Sequence, residues 1–286
     1  MESIVSFTEQ GKQKELAGIR IAVRLLIALC CFAGTSIAVT SEAESGINCE
    51  GSYGGHLQGI AVDPGRAIYW SFTVEIVKTD LEGRVVKSIE APSHHGDLTY
   101  HNGRIYVAVN LGAFNREPGE ADSWVYVYNA DNLKLIAKHA VPEVVHGAGG
   151  MAYRNDSFIV IGGLPGTYTE NYAYEYDEKF SFIKRHVIAS GHTQLGIQTA
   201  EYSDGQWWFG CYGKPKNKPL IVTDEKFRMS GTSETDFSVG IASHPDGGWY
   251  RGISTRDETT KRWTGAIRMM KLYTFKDESY DFLEAE

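Results

Sequence analysis

Cysteine, proline and long hydrophobic runs are all scarce in this sequence. Four Cys in 286 residues exclude a disulfide-dense scaffold, which concentrates many more in a shorter chain. Eight Pro against 31 Gly exclude proline-rich or collagen-like architectures. The apolar run Leu25–Val39 is about fifteen residues, short of the roughly 20 that a spanning helix needs. Basic side chains are outnumbered, 28 Lys and Arg against 36 Asp and Glu for a net charge of −8. That balance excludes a general nucleic-acid binder, whose phosphate contacts need clustered cations. No Gly-x-Ser-x-Gly elbow, His-Glu-x-x-His pair or Gly-Lys-Ser/Thr loop occurs, which sets aside the enzyme classes built on those motifs. Helical periodicity fades after residue 43.

What is abundant is glycine and aromatics, with 6 Trp, 16 Tyr and 12 Phe, a mixture suited to many short strands joined by tight turns. Before those strands comes a leader. Arg20 and Arg24 precede the run Leu25–Val39, and Ser41-Glu42-Ala43 supplies small residues after it. This pattern reads as a signal peptide over residues 1–43 and places the rest outside the cytoplasm, periplasmic or extracellular; an uncleaved N-terminal anchor is the alternative. Acidic and basic residues balance within 1–43, so the remainder keeps the full negative charge. Cys30 and Cys31 fall in the leader. Cys49 and Cys211 remain, and in an oxidising compartment they are a candidate disulfide, with two separate thiols as the alternative.

From residue 54 the chain repeats itself. Strand openings at Gly59-Ile60-Ala61-Val62-Asp63, Asp97-Leu98-Thr99-Tyr100-His101, Gly150-Met151-Ala152-Tyr153-Arg154, Thr199-Ala200-Glu201-Tyr202-Ser203 and Gly240-Ile241-Ala242-Ser243-His244 each run into a polar turn. Asn102-Gly103, Asp204-Gly205 and Asp246-Gly247 are hairpin signals, because both central residues of a type I′ turn need φ > 0. A β-rich segment follows every turn, such as Ile68-Tyr69-Trp70 and Trp207-Trp208-Phe209. A third strand follows in four segments, Val74–Asp80, Val125–Asp131, Tyr172–Asp177 and Leu220–Asp224, and its closing Asp is suited to cap the next turn. A four-stranded unit recurring every ~40–50 residues indicates a β-propeller.

The expected fold is therefore all-β: a β-propeller of five four-stranded blades over residues 54–286, after an N-terminal extension at 44–53. A sixth blade is the alternative, if Leu272–Leu283 teams with residues 46–53. The Ile-Ala-Val-Asp and Ile-Tyr-Trp spacing resembles blades of NHL-repeat and gluconolactonase-like propellers. The resemblance implies the architecture. Gluconolactonase-like enzymes open a blade with a Glu-Gly-Pro calcium motif, where this chain has His56-Leu57-Gln58-Gly59, so calcium and lactonase chemistry do not carry over. Five blades also resemble arabinanase-type glycosidases, whose trio of inner-strand carboxylates has no counterpart here.

In such blades the A-to-B and C-to-D turns share one side of the disc, the turn face. The D-to-A connections and B-to-C loops share the other, the loop face. The B-to-C loops are long and individual (Asn110–Asp122, Gly162–Asn171, Tyr212–Pro219, Ser254–Thr264), and long loops on a rigid scaffold concentrate binding residues. Five of the nine His sit on this face just ahead of an innermost strand: His56, His94, His95, His146 and His192. Alternation along a strand selects His95 over His94. The set His56, His95, His146 and His192 is the candidate ligand-binding ring, and the candidate donor set for a divalent metal, since imidazole binds transition metals and moves protons near neutrality. Hydrogen bonding at strand ends is the alternative role for each. Gln198 and Arg251 join the ligand-binding candidates, and His146, Glu201 and Asp97 are the candidates for acid–base chemistry. Gly147-Ala148-Gly149-Gly150 lets backbone pass close to the axis, and Lys214, Lys216 and Lys218 form a solvated basic cluster.

Two functions fit these residues. One is an exported, monomeric propeller that binds a small molecule, glycan or protein on its His-lined face, with no nucleic-acid partner and no membrane attachment after leader removal. The other is a metal-assisted hydrolase or lyase using the same face.

Overall fold

Turn chemistry builds the strands of this protein in hairpins. Asn102 and Gly103 have φ of 47° and 70°, Asp204 and Gly205 53° and 77°, and Asn155 and Asp156 48° and 63°, the left-handed pairs that a type I′ hairpin requires. The computed structural model describes residues 46–213 and 219–285. The leader expected at 1–43 and the cluster Lys214, Lys216 and Lys218 lie outside the described residues.

Three antiparallel sheets follow in order. The first holds β2 (Leu57–Asp63), β3 (Ala67–Phe72), β4 (Glu75–Thr79) and β5 (Val85–Glu90); the second β6 (His95–His101), β7 (Arg104–Asn110), β8 (Ser123–Asn129) and β9 (Leu135–Ala140); the third β10 (Ala148–Arg154), β11 (Ser157–Gly162), β12 (Asn171–Asp177) and β13 (Phe182–Ile188). The fourth blade is β14 (Gln194–Ser203), β15 (Gln206–Tyr212), β16 (Leu220–Asp224) and β17 (Met229–Ser233). The fifth begins with β18 (Ile241–Ser243), β19 (Trp249–Arg256) and β20 (Trp263–Lys276), and its outermost strand is β1 (Gly46–Tyr53), pairing Gly46 with Arg268 and Tyr53 with Trp263. Each innermost strand packs on the next, and β18 returns to β2. The chain is a five-bladed β-propeller.

Ring closure uses both ends of the fold. β1 leaves the extension expected at 44–53 and enters the fifth blade, where Glu50 also reaches the first: its amide donates to Gly83 O at 2.9 Å, and its Oε2 accepts from Val85 N at 2.9 Å. The second half of β20 pairs with β21 (Ser279–Glu284), which meets β17 of blade four in a parallel bridge, Thr232 opposite Ser279. The tail thus joins the fifth blade to the fourth. Among the described residues no sixth blade forms, because 46–53 and 279–284 share β20 instead of pairing with each other.

Each of the five junctions between blades carries one hydrophobic cluster among the described residues. Trp70, Phe72, Tyr53 and Ile267 pack blade one on blade five, and Trp208, Trp249, Met270 and Tyr280 pack blade four on blade five. The closing aspartates act as expected in three blades: Asp80, Asp177 and Asp224 each take two backbone N–H groups ahead of them through Oδ1. In blade two Asn129, not Asp131, does this, accepting from Asp131 and Asn132 N at 3.0 Å.

The candidate Cys49–Cys211 disulfide is not formed. Both cysteines are free and buried, Cys49 in the blade five–one cluster beside the Tyr53 hydroxyl (3.2 Å) and Cys211 in the blade three–four cluster. Burial pushes the Cys49 thiol up to about 12 and raises Cys211 as well, so neither supplies thiolate near neutrality. Thiol reagents are expected to leave both untouched in the folded protein and to label both after unfolding without reductant. Peptide mapping that finds either one unlabelled in the unfolded chain would restore the disulfide.

Candidate functional site

The site is set by how the innermost strands enter the channel. On the loop-face end, β2, β6, β10 and β14 each carry a register shift, a bulge that re-aims the side chains on either side of it. In blade one this leaves His56 and Gln58 on the loop face. Gln58 Nε2 lies 2.9 Å from His56 Nε2 and 2.8 Å from His94 Nε2, so one amide ties blade one to blade two. His56 Nε2 also meets the Tyr212 hydroxyl of blade four at 3.0 Å. Burial lowers the pKa of both imidazoles, and for His94 the neighbouring His56 adds to it. Both rings are therefore neutral at pH 7.

Beside this network opens a cavity of about 840 Å³ among blades four, five and one. Trp263, the first residue of β20, forms one wall, its ring 5.4 Å from that of His56. Tyr212 closes β15 on another side, with its hydroxyl pushed up to about 12 by burial and then by the charge of Asp236. Arg251 on β19 is held through Nε, which donates to Asp236 O at 2.6 Å. The Asp236 carboxylate accepts from Ser238 N at 2.8 Å. Ser254 accepts from Leu57 N at 3.0 Å, and Leu195, Val239 and Ile253 supply apolar surface.

Of the expected ligand-binding residues, His56 and Arg251 line this cavity. His95 does not. It is fully buried in blade two, bonded through Nδ1 to Pro92 O (2.7 Å) and through Nε2 to the Tyr128 hydroxyl (2.8 Å), with its ring against Tyr126. The bulge between His95 and Leu98 reverses the alternation that selected it, and His94 takes the place on the loop face. His146, only 3% exposed, spends Nδ1 on Arg116 O at 2.8 Å and packs on Tyr168. His192 bonds to Tyr168 O at 3.0 Å, so these two imidazoles meet around Tyr168 in blade three. Gln198 is buried and donates to Leu195 O at 2.7 Å.

The four-imidazole ring is thus not assembled, and among the described residues no three His, Cys, Asp or Glu side chains converge as a metal set. The donors do not fit the divalent metal expected of the hydrolase or lyase alternative.

The acid–base candidates lie deeper. Asp97 is fully buried near the axis, its Oδ2 accepting from Ala200 N of blade four at 3.1 Å and its Oδ1 without a hydrogen-bond partner. Its room comes from glycine. A Cβ on Gly59 would lie 2.1 Å from Asp97 Oδ1, and one on Gly150 would lie 2.4 Å from Gln198 O and 3.1 Å from Asp97 Cβ. Burial raises the Asp97 pKa well above the usual carboxylate range, and Glu201 adds to this. Glu201 opens toward the turn face, accepts from Ser243 N at 3.0 Å, and is likewise raised by burial. Neither carboxylate lines the loop-face cavity.

Trp263, Tyr212 and Asp236 escaped the sequence reading. One signal was available for the first two: each is an aromatic at the edge of a long B-to-C loop, on the face where those loops gather.

No protein-family model matches the sequence, and no curated protein does. Solved structures similar to it at low identity include WD40 domains. The WD40 β-propeller domain of Doa1 is 11% identical, with a TM-score of 0.45 over 79% of this chain and 68% of that one. The Neurospora crassa Pan2 WD40 domain is 12% identical, with a TM-score of 0.40 over 74% and 62%. BamB from Moraxella catarrhalis is 12% identical, with a TM-score of 0.37 over 72% and 59%.

Proposed function

We propose that the protein is an exported propeller that holds a small molecule, or the terminal unit of a glycan, in the loop-face cavity among blades four, five and one. The observation that carries this is the cavity of about 840 Å³ lined by Trp263, Tyr212, His56 and Arg251, a size within the ~300–1,000 Å³ of small-ligand sites. Trp263 and Tyr212 offer flat apolar faces to a ring. Arg251 is anchored through Nε, leaving its outer nitrogens to an acceptor on the ligand. The neutral His56 and Tyr212 pair donates or accepts one hydrogen bond more. Export rests on the leader over residues 1–43.

Thermal-shift screening of sugars, organic acids and aromatic acids tests this reading. A bound ligand at about 100 times its Kd adds ~2.7 kcal/mol of stability. Compounds that raise the melting temperature of the wild type are expected to lose the effect in Trp263→Ala and Arg251→Ala. His95→Ala behaves in the opposite way: it costs about 2–4 kcal/mol of stability through a lost core contact and orphaned partners, yet retains binding. A screen in which no stabilising compound loses its effect in Trp263→Ala and Arg251→Ala, or one with no hits at all, would remove the cavity from consideration.

A further inference from the structure

The turn face carries a second cavity, with two polar side chains that the neighbouring junction lacks. It lies at the junction of blades three and four and measures about 300 Å³, the lower end of small-ligand sites. At corresponding positions of the second strand, blades one to three place Ile68, Ile105 and Phe158, all buried and apolar, whereas blade four places Trp207. In the third strand, blades two and four have Val127 and Val222 and blade one Lys78 where blade three has Glu175. The junction of blades two and three keeps the rest of the arrangement, since His139 stacks on Phe180 at 4.6 Å as His186 packs on Phe227 at 4.3 Å. The Arg154, Glu225 and Tyr202 contacts likewise repeat those of His101, Glu178 and Tyr153, so what this junction adds is Trp207 and Glu175 where its neighbour has Phe158 and Val127.

Two of these groups are unspent. Trp207 Nε1 and Arg154 Nε are buried donors without a hydrogen-bond partner, although Trp207 is 1% exposed and both residues line the cavity. A buried donor left unpaired is costly and is normally satisfied in the working state. The acceptors opposite are two carboxylates. Glu175 Oε2 meets His186 Nε2 at 2.7 Å, and Glu225 is held by Arg154 at 3.2 Å and by the Tyr202 hydroxyl at 2.7 Å. A carboxylate has about four acceptor positions, so each retains capacity.

From this chemistry we infer that the cleft binds a neutral polyhydroxylated ring, a monosaccharide unit, distinct from the ligand of the loop face. Two carboxylates repel an anion. The Arg154 guanidinium and the Trp207 N–H disfavour a cation. A sugar satisfies both sides at once, its oxygens accepting from Trp207 and Arg154 and its hydroxyls donating to Glu175 and Glu225, with C–H groups against Phe227.

Ligand-observed NMR on the full chain decides this, using glucose, galactose, mannose and N-acetylglucosamine, with glucuronate and glucosamine as charged counterparts. At least one neutral sugar is expected to bind, about tenfold or more tighter than its charged counterpart. Trp207→Phe and Glu175→Val rebuild the blade two–three junction and so are compatible with folding. Each is expected to weaken that sugar about tenfold, the effect of one lost hydrogen bond to a buried group, while Arg251→Ala leaves it unchanged. Circular dichroism melts of the two variants confirm the folded state. Absence of binding by every neutral sugar at tens of millimolar overturns the inference, as does a result in which no neutral sugar is weakened by the two cleft substitutions while keeping its binding in Arg251→Ala.

Discussion

Deleting residues 46–53 is expected to unfold the protein at temperatures where the intact chain is stable. β1 brings Tyr53 and Cys49 into the cluster that seals blade five on blade one, and the Tyr53 ring stacks on Phe72 at a centroid distance of 3.9 Å. Each fully buried side chain of this size contributes ~1.5–3 kcal/mol. Losing both, with the hydrogen bonds that join Glu50 to Gly83 and Val85, removes on the order of 5 kcal/mol. A whole domain is stable by only ~5–15 kcal/mol. The deletion also bares the edge of β20, a template for association between chains, so aggregation should accompany the loss. Calorimetry of the deleted chain measures the effect. An unchanged melting temperature would show that the tail strand β21 closes the ring unaided.

That closing strand marks the boundary of what could be read from the sequence. Blades one to four announce themselves because each repeats local chemistry: a φ > 0 pair at the hairpin of blades two to four and the single Gly65 in blade one, an alternating strand, an Asp or Asn capping the next turn. Those signals act over a few residues and survive without the rest of the fold. The fifth blade is assembled from segments about 200 residues apart in sequence, and pairing Gly46 with Arg268 leaves no local trace. At the site, the loop face was legible because loop lengths are visible in a sequence. The choice between His94 and His95 was not, since alternation holds only in a regular strand and the bulge before Leu98 shifts the phase by one. Trp263 and Tyr212 come together from blades five and four through tertiary packing alone. The Cys49 and Cys211 thiols show the converse limit: composition permits a bond that their separate clusters forbid.

Asp97→Asn is expected to stabilise the protein at neutral pH, and Asp97→Ala to destabilise it relative to Asp97→Asn. The carboxylate sits near the axis of the ring, where burial raises its pKa. The folded protein therefore binds that proton more tightly than the unfolded chain does. Stability from this group is fully present below the unfolded value of about 3.9 and is lost as pH rises through the raised folded value. The turn carboxylates Asp177 and Asp224 work in the other direction. The Ser181 N–H and Arg228, respectively, lower their pKa values, so their contribution is lost as pH falls. Comparing variants cancels those turns, which are the same in every chain. Asparagine keeps an oxygen for Ala200 N–H and carries no charge, so its advantage over the wild type should grow as pH rises above about 4. Alanine removes the acceptor and leaves Ala200 N–H buried and unpaired, a loss of about 1–3 kcal/mol relative to asparagine, with little dependence on pH. Urea titrations of the three proteins from pH 4 to pH 8 measure these differences. If Asp97→Asn were less stable than the wild type at every pH, the charge itself would be stabilised in the channel. The unpartnered Oδ1 would then be the place to look for the cation or ordered water responsible.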